Sequence, residues 1–383
     1  MTADLSRILG ADRVTDEAGT PVIAPRDEAE TAELLRAATR DGLVLVVRGG
    51  GTKAGWRPAP PRCDAILSTT AIAGVVDRQP GDMTLVARAG STLDSVQAEV
   101  VGDPTHRQRL MLDAVGGPDA TLGGILATAA AGPLRHRYGT PRDIVIGARF
   151  VTGDGVAART GGTVVKNVAG YDVAKLLIGA RGALAVVTEV AVKLHPVPDA
   201  AATVVLRTAD ALAAAAFVER IRTAPVTPAA LEVRWPDGLV AVRIGSTAEG
   251  VRAQVELLRG LGDVDELDAA AGDALLEEHL ALPFAGAGAV LGVGVRPTDL
   301  AALLGIAADA GATFVGRAAL VAGDIVLPDA DPARVARVAA AVRALGGSVQ
   351  ARRAATVERD AAPGVAALEA AMKRALDPAG ALA

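Results

Sequence analysis

The unbroken apolar run Leu43-Val44-Leu45-Val46-Val47 meets Arg48-Gly49-Gly50-Gly51-Thr52-Lys53-Ala54-Gly55-Trp56 with no intervening polar turn. Such a run reads as a strand buried on both faces, which requires a layered domain to cover it. The triple glycine lets backbone N–H groups approach a ligand closely and converge as an anion-binding nest, with Arg48 or Lys53 as countercharge. No G-x-x-x-x-G-K-[ST] is present. The dinucleotide fingerprint demands a helix after its glycines, whereas Pro58, Pro60 and Pro61 follow here. A pyrophosphate at this loop is therefore held by loop N–H groups without a helix dipole. A plain glycine turn is the alternative.

A second cluster, Gly116-Gly117-Pro118-Asp119-Ala120-Thr121-Leu122-Gly123-Gly124, leads into a helix of small residues expected over 125–131. That helix admits a flat ligand or another backbone against its face. Downstream, Arg135, Arg137, Tyr138, Gly139, Arg142 and Asp143 form a polar knot in an otherwise apolar chain. Lysine, asparagine and tyrosine are rare in this Ala- and Arg-rich sequence. Lys53, Lys166, Lys175, Lys193, the single asparagine Asn167 and both tyrosines, Tyr138 and Tyr171, all lie between residues 48 and 195. That segment has specific chemical demands, or the rare residues fell there by chance.

The remaining pattern sets the architecture. Strands are expected at 22–23, 83–89, 144–152 and 184–194, with helices opened by Asp27 and by Ser91 or Thr92. After Pro196 and Pro198 the rhythm becomes β-α-β-β-α twice over: strand 202–207, helix 209–223, hairpin 230–235/240–245, helix 248–261, then strand 289–295, helix 298–310, strands 313–321 and 324–327, helix 332–345, strand 347–351. The acidic stretch 263–279 between the units reads as a surface helix or loop, and the tail around Met372 to Pro378 as an amphipathic helix stopped by Asp377-Pro378.

Composition removes several function classes. The 383 residues carry a net charge of −5 and only two Trp, two Tyr and four Phe, so neither a basic footprint nor a base-stacking surface for nucleic acid is available. Cys63 alone excludes an intramolecular disulfide, and His106, His136, His195 and His279 show no metal-ligand spacing, so no metal is expected. No apolar run reaches the roughly 20 residues of a membrane span, and the acidic first twenty residues do not read as a signal peptide. A cytoplasmic location, or one peripheral to the inner membrane through partners, is the expectation.

Taken in order, Arg48-Gly-Gly-Gly-Thr, Ala120-Thr-Leu-Gly-Gly, Tyr138-Gly139 with Asp143 and Gly153-Asp154-Gly155, Lys166-Asn-Val-Ala-Gly-Tyr-Asp172, Gly182-Ala-Leu-Ala-Val-Val-Thr-Glu-Val190 and Leu376-Asp-Pro-Ala-Gly380 resemble the FAD-binding domain of the vanillyl-alcohol oxidase / p-cresol methylhydroxylase superfamily. Within it, the stretch 166–172 and the modest second domain resemble the FAD-binding E subunits of bacterial glycolate oxidases. The resemblance implies an α+β, two-domain fold: a PCMH-type FAD-binding domain over 1–198, completed by 352–383, and a smaller α+β cap over 199–351 made of the two β-α-β-β-α units.

It also implies roles, position by position. Arg48, Gly49, Gly50, Gly51, Thr52 and Lys53 would form the pyrophosphate loop. Pro118, Asp119, Thr121, Leu122, Gly123, Gly124 and Thr128 would line the isoalloxazine and ribityl chain. Tyr138, Gly139 and Asp143 would continue the wall, and Val186 and Val187 would approach through backbone groups. No histidine stands in the loop, so FAD is expected to be non-covalent. Relatives that oxidise 2-hydroxy acids use paired histidines and a metal, absent here; His195-Pro196 is at best a fragment and reads as a surface histidine. Lys166, Asn167 and Tyr171 remain as catalytic candidates, with structural roles as the alternative. The implied function is a glycolate oxidase-like subunit acting on a small 2-hydroxy acid, with a sister FAD-linked subunit and an iron–sulfur subunit as partners. A stand-alone dehydrogenase and a cofactor-free scaffold are the competing readings.

Overall fold

A computed structural model describes residues 9–56, 59–164, 170–357 and 364–383. Strands β1 (Val14–Glu17), β2 (Thr20–Ile23), β3 (Leu45–Arg48) and β4 (Ala65–Ser68) form a sheet in the order β1-β2-β4-β3. The pairs β2/β4 and β3/β4 are parallel, and helix α1 (Glu28–Asp41) makes the crossover such pairing requires. Asp27 caps α1 by accepting the Glu30 N–H, and Gly42 ends it in the left-handed region at φ 63°. Its stripe of Leu34, Leu35 and Ala38 shares one core with Leu45 and Leu67 of this sheet and with Val151 and Val186 of the next.

That second sheet is antiparallel, built from β5 (Val75–Gln79), β6 (Thr84–Arg88), β8 (Val145–Thr152), β9 (Ala157–Gly161) and β10 (Ala185–Lys193) in the order β5-β6-β10-β8-β9. A short pair, β7 (Gln108–Arg109) with β11 (His195–Pro196), stands apart. Helices α2 (Leu93–Val101), capped by Thr92, and α3 (Leu122–Thr128), capped by Thr121, pack on this sheet through Leu93, Val96, Ile125 and Leu126. The helix after the second glycine cluster thus starts at Leu122, three residues earlier than the apolar pattern suggested, because the Thr121 side chain accepts the Gly124 N–H.

Strand β3 differs from the expectation of burial on both faces. Leu45 is fully buried, yet Val46 and Val47 are half-buried, because they form the wall of a cleft. Its free edge is covered by the end of the chain: the Leu45 N–H donates to Ala381 at 2.7 Å and the Ala383 N–H to Leu45 at 2.9 Å.

The second domain is one eight-stranded antiparallel sheet. Its strands are β12 (Ala200–Arg207), β13 (Pro228–Trp235), β14 (Leu239–Ser246), β15 (Val264–Leu267), β16 (Val290–Gly294), β17 (Thr313–Arg317), β18 (Ala322–Val326) and β19 (Ser348–Arg353). Their order, β15-β12-β14-β13-β17-β18-β16-β19, reads the same outward in both directions from the central β13/β17 pair. The two β-α-β-β-α units therefore join by equivalent strands. Helices α4 (Ala211–Thr223), α5 (Ala248–Leu261), α7 (Leu300–Asp309) and α8 (Pro332–Ala344) cover one face, with Phe217, Leu258, Leu303 and Val338 packed among Val233, Phe314 and Ile325. Between the units, residues 263–279 hold β15 and most of α6 (Ala269–Ala281), and Leu275 of α6 packs on Val205, Leu239 and Ala241 of the opposite sheet face. The final helix, α9 (Val365–Leu376), returns to the first domain, where Met372 and Leu376 join its core.

Candidate functional site

The two glycine clusters meet. A Cβ on Gly49 would stand 2.2 Å from Thr121 Oγ1, and one on Gly50 would stand 1.9 Å from the Asp119 carbonyl oxygen. Glycine is thus required at both positions by the neighbouring loop itself. Gly51 completes the turn at φ 72°. Among the described residues, the N–H groups of Gly50, Gly51 and Thr52 donate to no other backbone group, which leaves three donors of one tight loop available to an anion.

This loop forms the wall between two adjoining hollows. One, of about 480 Å³, takes Arg48, Gly49, Gly50, Gly51, Thr52, Lys53, Thr121, Gly123, Gly124, Thr128 and Val187 from the sequence-predicted set. The other, of about 990 Å³, shares Arg48 to Thr52 and Thr121 and adds Asp119. Val46, Val47, Trp56, Thr69, Ala127, Leu177, Arg181 and Ala185 also line the first and lie outside the sequence-predicted set. Their signal was faint: apart from Trp56 and Arg181 they are ordinary core or strand residues in the sequence.

The other predicted cofactor contacts lie elsewhere. Leu122 and Val186 are buried in core clusters, with 3% and 0% exposure. Pro118, Tyr138 and Gly139 line neither hollow. Asp143 closes a capping box on the short helix Pro141–Ile144, accepting the Thr140 N–H at 2.8 Å, and Thr140 holds its carboxyl below the usual range. Of the catalytic candidates, Lys166 and Asn167 lie outside the described residues. Tyr171 is 95% exposed and borders a small separate hollow with Lys175 and Lys193, so it does not face the glycine loop. His195 is not a plain surface residue, since its ring packs edge-on against Tyr138 with centroids 5.0 Å apart.

Electrostatics distinguish the two predicted cations. Arg48 makes a bidentate pair with Glu17, at 3.0 and 2.5 Å, so its charge is already matched. Lys53 is 8% exposed; its Nζ donates to Thr52 Oγ1 at 2.9 Å and to the Val115 carbonyl at 2.7 Å. Burial pulls it down to about 8. The loop is thus backed by one buried ammonium. At the loop's far end, the Arg352 guanidinium of the second domain lies 4.3 Å from the Trp56 ring centroid, and Phe284 stacks on the same ring at 6.3 Å.

A cradle without Cβ atoms, with unspent N–H donors and a buried ammonium behind them, fits the diphosphate of a dinucleotide, and the largely apolar hollow beside it fits a flat ring system. Residues 20–161 match a family model described as an FAD binding domain. The chain is 36% identical over 175 residues to the glycolate oxidase subunit GlcE of Escherichia coli (strain K12), covering 44% of this chain and 47% of that protein. It is 32% identical over 218 residues to GlcD of Bacillus subtilis (strain 168), with 55% and 44% covered, and 31% identical over 176 residues to a D-lactate dehydrogenase of Archaeoglobus fulgidus, with 46% and 38% covered. These matches span about half the length of the relatives or less. Among solved structures, p-cresol methylhydroxylase with substrate bound superposes with a TM-score of 0.78 at 14% identity, over 98% of this chain and 94% of that one. Alkyldihydroxyacetonephosphate synthase gives 0.77 at 16%, over 99% and 83%.

The fold is therefore that of p-cresol methylhydroxylase and alkyldihydroxyacetonephosphate synthase, with a first domain of two main sheets and a second α+β domain. Within it, residues 20–161 are the part that matches the FAD-binding-domain model, and the glycolate oxidase subunits GlcE and GlcD are among the chain's homologues.

Proposed function

We propose that this chain is an FAD-dependent oxidoreductase subunit acting on a small 2-hydroxy acid within a glycolate oxidase-like complex. The observation that carries the cofactor half is the Gly49–Thr52 loop, with its unspent N–H groups and the buried Lys53 behind it. In this reading Gly50, Gly51 and Thr52 hold the diphosphate through backbone donors, Lys53 neutralises it from behind, and Val47, Leu177 and Val187 exclude water from the ring. Bound FAD supplies the two-electron acceptor; the protein supplies position and field. Arg48 keeps Glu17 paired, so the acid does not repel the diphosphate. The absence of a histidine at the loop makes the attachment non-covalent. Residues 1–198 with 352–383 are taken as the cofactor unit and 199–351 as the cap, although β19 of the cap sheet runs two residues past that boundary, to Arg353.

The substrate half rests on the homologues, whose names are those of glycolate oxidase subunits and D-lactate dehydrogenases. A sister FAD-linked subunit and an iron–sulfur subunit are the partners proposed, in the cytoplasm or at the inner membrane surface. No helix among the described residues is long and apolar enough to cross a membrane. The experiment is anaerobic mixing of the purified, FAD-loaded chain with glycolate or D-lactate, alone and with those subunits. Bleaching of the flavin bands supports the reading. A colourless protein that cannot be reconstituted with FAD overturns it, and turnover of the isolated chain with a dye acceptor moves it to a stand-alone dehydrogenase.

A further inference from the structure

The cap-sheet face turned toward the first domain carries buried polar side chains that the cofactor cradle does not use. Glu232 and Arg317 are cross-strand partners on β13 and β17, 1% and 7% exposed. Arg317 Nη1 donates to the Ala131 carbonyl at 3.2 Å, just beyond α3. From the first domain, the Asp113 carboxylate accepts the N–H groups of Gly132 and Leu134 at 3.0 and 3.1 Å. His279 arrives on α6, and its neighbour Leu280 lies so close to Gly132 that a Cβ there would stand 2.5 Å from Leu280 Cδ2. Arg317, Asp113 and the end of α6 thus surround one segment, residues 131–134, from both domains.

Three polar atoms of this group are buried without a partner among the described residues: Glu232 Oε1 and both ring nitrogens of His279, which is 3% exposed. Each such atom carries an uncompensated desolvation penalty when left unsatisfied, so the arrangement calls for a polar guest. Burial pushes Glu232 up to about 8 and His279 down to about 4. At neutral pH the group therefore presents a guanidinium, a carboxylic O–H and an imidazole N–H, all donors, and one imidazole nitrogen that accepts. Among the described residues no carboxylate pairs with Arg317, whose Nε and Nη1 go to carbonyls. Three donors, one of them positively charged, with the free imidazole nitrogen and the side-chain carbonyl oxygen of Glu232 as acceptors beside them, match a carboxylate with an adjacent hydroxyl.

We propose that Arg317, Glu232 and His279 form the recognition site for the carboxylate and neighbouring hydroxyl of the small hydroxy acid, at the joint between the two domains. This rests on the function proposed above. Arg317 anchors the carboxylate, Glu232 donates to it in its acid form, and His279 bridges carboxylate and hydroxyl.

The probe is oxalate, a small non-oxidisable carboxylate, titrated calorimetrically into the FAD-loaded chain at neutral pH. Arg317→Met should weaken it by about 30-fold or more, as expected for loss of a buried charge partner. Glu232→Leu should weaken it by about tenfold, whereas Glu232→Gln, which keeps a donor, should stay close to the parent. His279→Phe should weaken glycolate more than propionate, which lacks the hydroxyl. Unchanged oxalate affinity in an Arg317→Met protein that retains its flavin and melting temperature overturns the site. So does equal damage from Glu232→Gln and Glu232→Leu, or a parent protein that binds no oxalate and keeps only buried water there. A flavin that glycolate and D-lactate never bleach overturns the proposed function instead, and leaves the oxalate result standing.

Discussion

The carbonyl oxygen of Asp119 lies 1.9 Å from where a Cβ on Gly50 would be. Alanine at this position cannot be accommodated by a rotamer change, because the obstacle is backbone. Gly50→Ala must displace the loop from the second cluster and spread the N–H groups of the nest. The expected outcome is a folded protein with an unchanged far-UV circular dichroism spectrum that retains less than about a tenth of the parent's flavin, as loss of a converging donor set implies. Full flavin content in the purified variant would show that the loop is not the cradle.

Lys53 makes the cofactor affinity depend on pH. Burial holds its free-state value at about 8, and a diphosphate in front of the loop raises it by supplying an opposite charge. Binding therefore favours the protonated ammonium. Affinity is level below about pH 8 and falls as the pH rises through that value. Lys53→Arg should flatten the curve, and Lys53→Met should weaken FAD at every pH. Fluorescence titration of FAD into apoprotein between about pH 7 and pH 9.5 checks both, and a parent curve flat across that range rules the mechanism out.

These two predictions draw on the part of the site that was legible in the sequence. Glycines 49 to 51 and the 116–124 cluster stand out because a backbone can approach a backbone only where side chains are missing, and that requirement is local. The two β-α-β-β-α units were readable for a similar reason, since strand and helix periods are properties of short windows. What escaped depended on the third dimension. The acidic stretch 263–279 reads as a surface helix or loop, and α6 is that helix; what escaped is β15, whose four residues become a strand only by pairing with β12. His279 and Glu232 are ordinary surface residue types whose burial is decided by the opposing domain. Tyr171 stands out by its rarity and by its place in the 166–172 stretch, and neither says anything about orientation.

The closing residues of the chain hold β3 in place. Asp377 is 2% exposed; it accepts the N–H groups of Ala381 and Leu382 at 2.8 and 3.0 Å and pairs with Lys373 Nζ at 2.5 Å. Lys373 also donates to the carbonyls of Ala183 and Leu382. Asp377→Ala removes the carboxylate partner of Lys373, leaves the amides of Ala381 and Leu382 without their acceptor and frees the edge of β3 beside the glycine loop. Leaving two buried amides unsatisfied costs about 2 kcal/mol, or roughly 5 °C in melting temperature for a domain of this size. Differential scanning calorimetry measures it. A variant that melts with the parent would show that the tail does not clamp the first domain.

The domain joint should leave a signature in the pH dependence of stability. His279 sits at about 4 in the fold, against 6.5 when free, through burial and the charges of Arg234 and Arg317, opposed by Glu278. Between those values the unfolded chain takes up a proton that the fold refuses, so this residue lowers stability progressively as the pH falls from about 6.5 to 4. Glu232 sits at about 8, against 4.5 when free, raised by burial and Asp113 and opposed by Arg317. Here the fold retains a proton that the unfolded chain has lost, and stability declines as the pH rises from about 4.5 to 8. The two effects oppose each other between about 4.5 and 6.5, and only the second acts above that. The melting temperature of Glu232→Gln relative to the parent should therefore climb steadily from about pH 4.5 to 8, while that of His279→Phe should climb as the pH falls from about 6.5 to 4. Variant curves that run parallel to the parent across the range would mean that neither group is buried in the state these distances describe, and the joint would have to be open in solution.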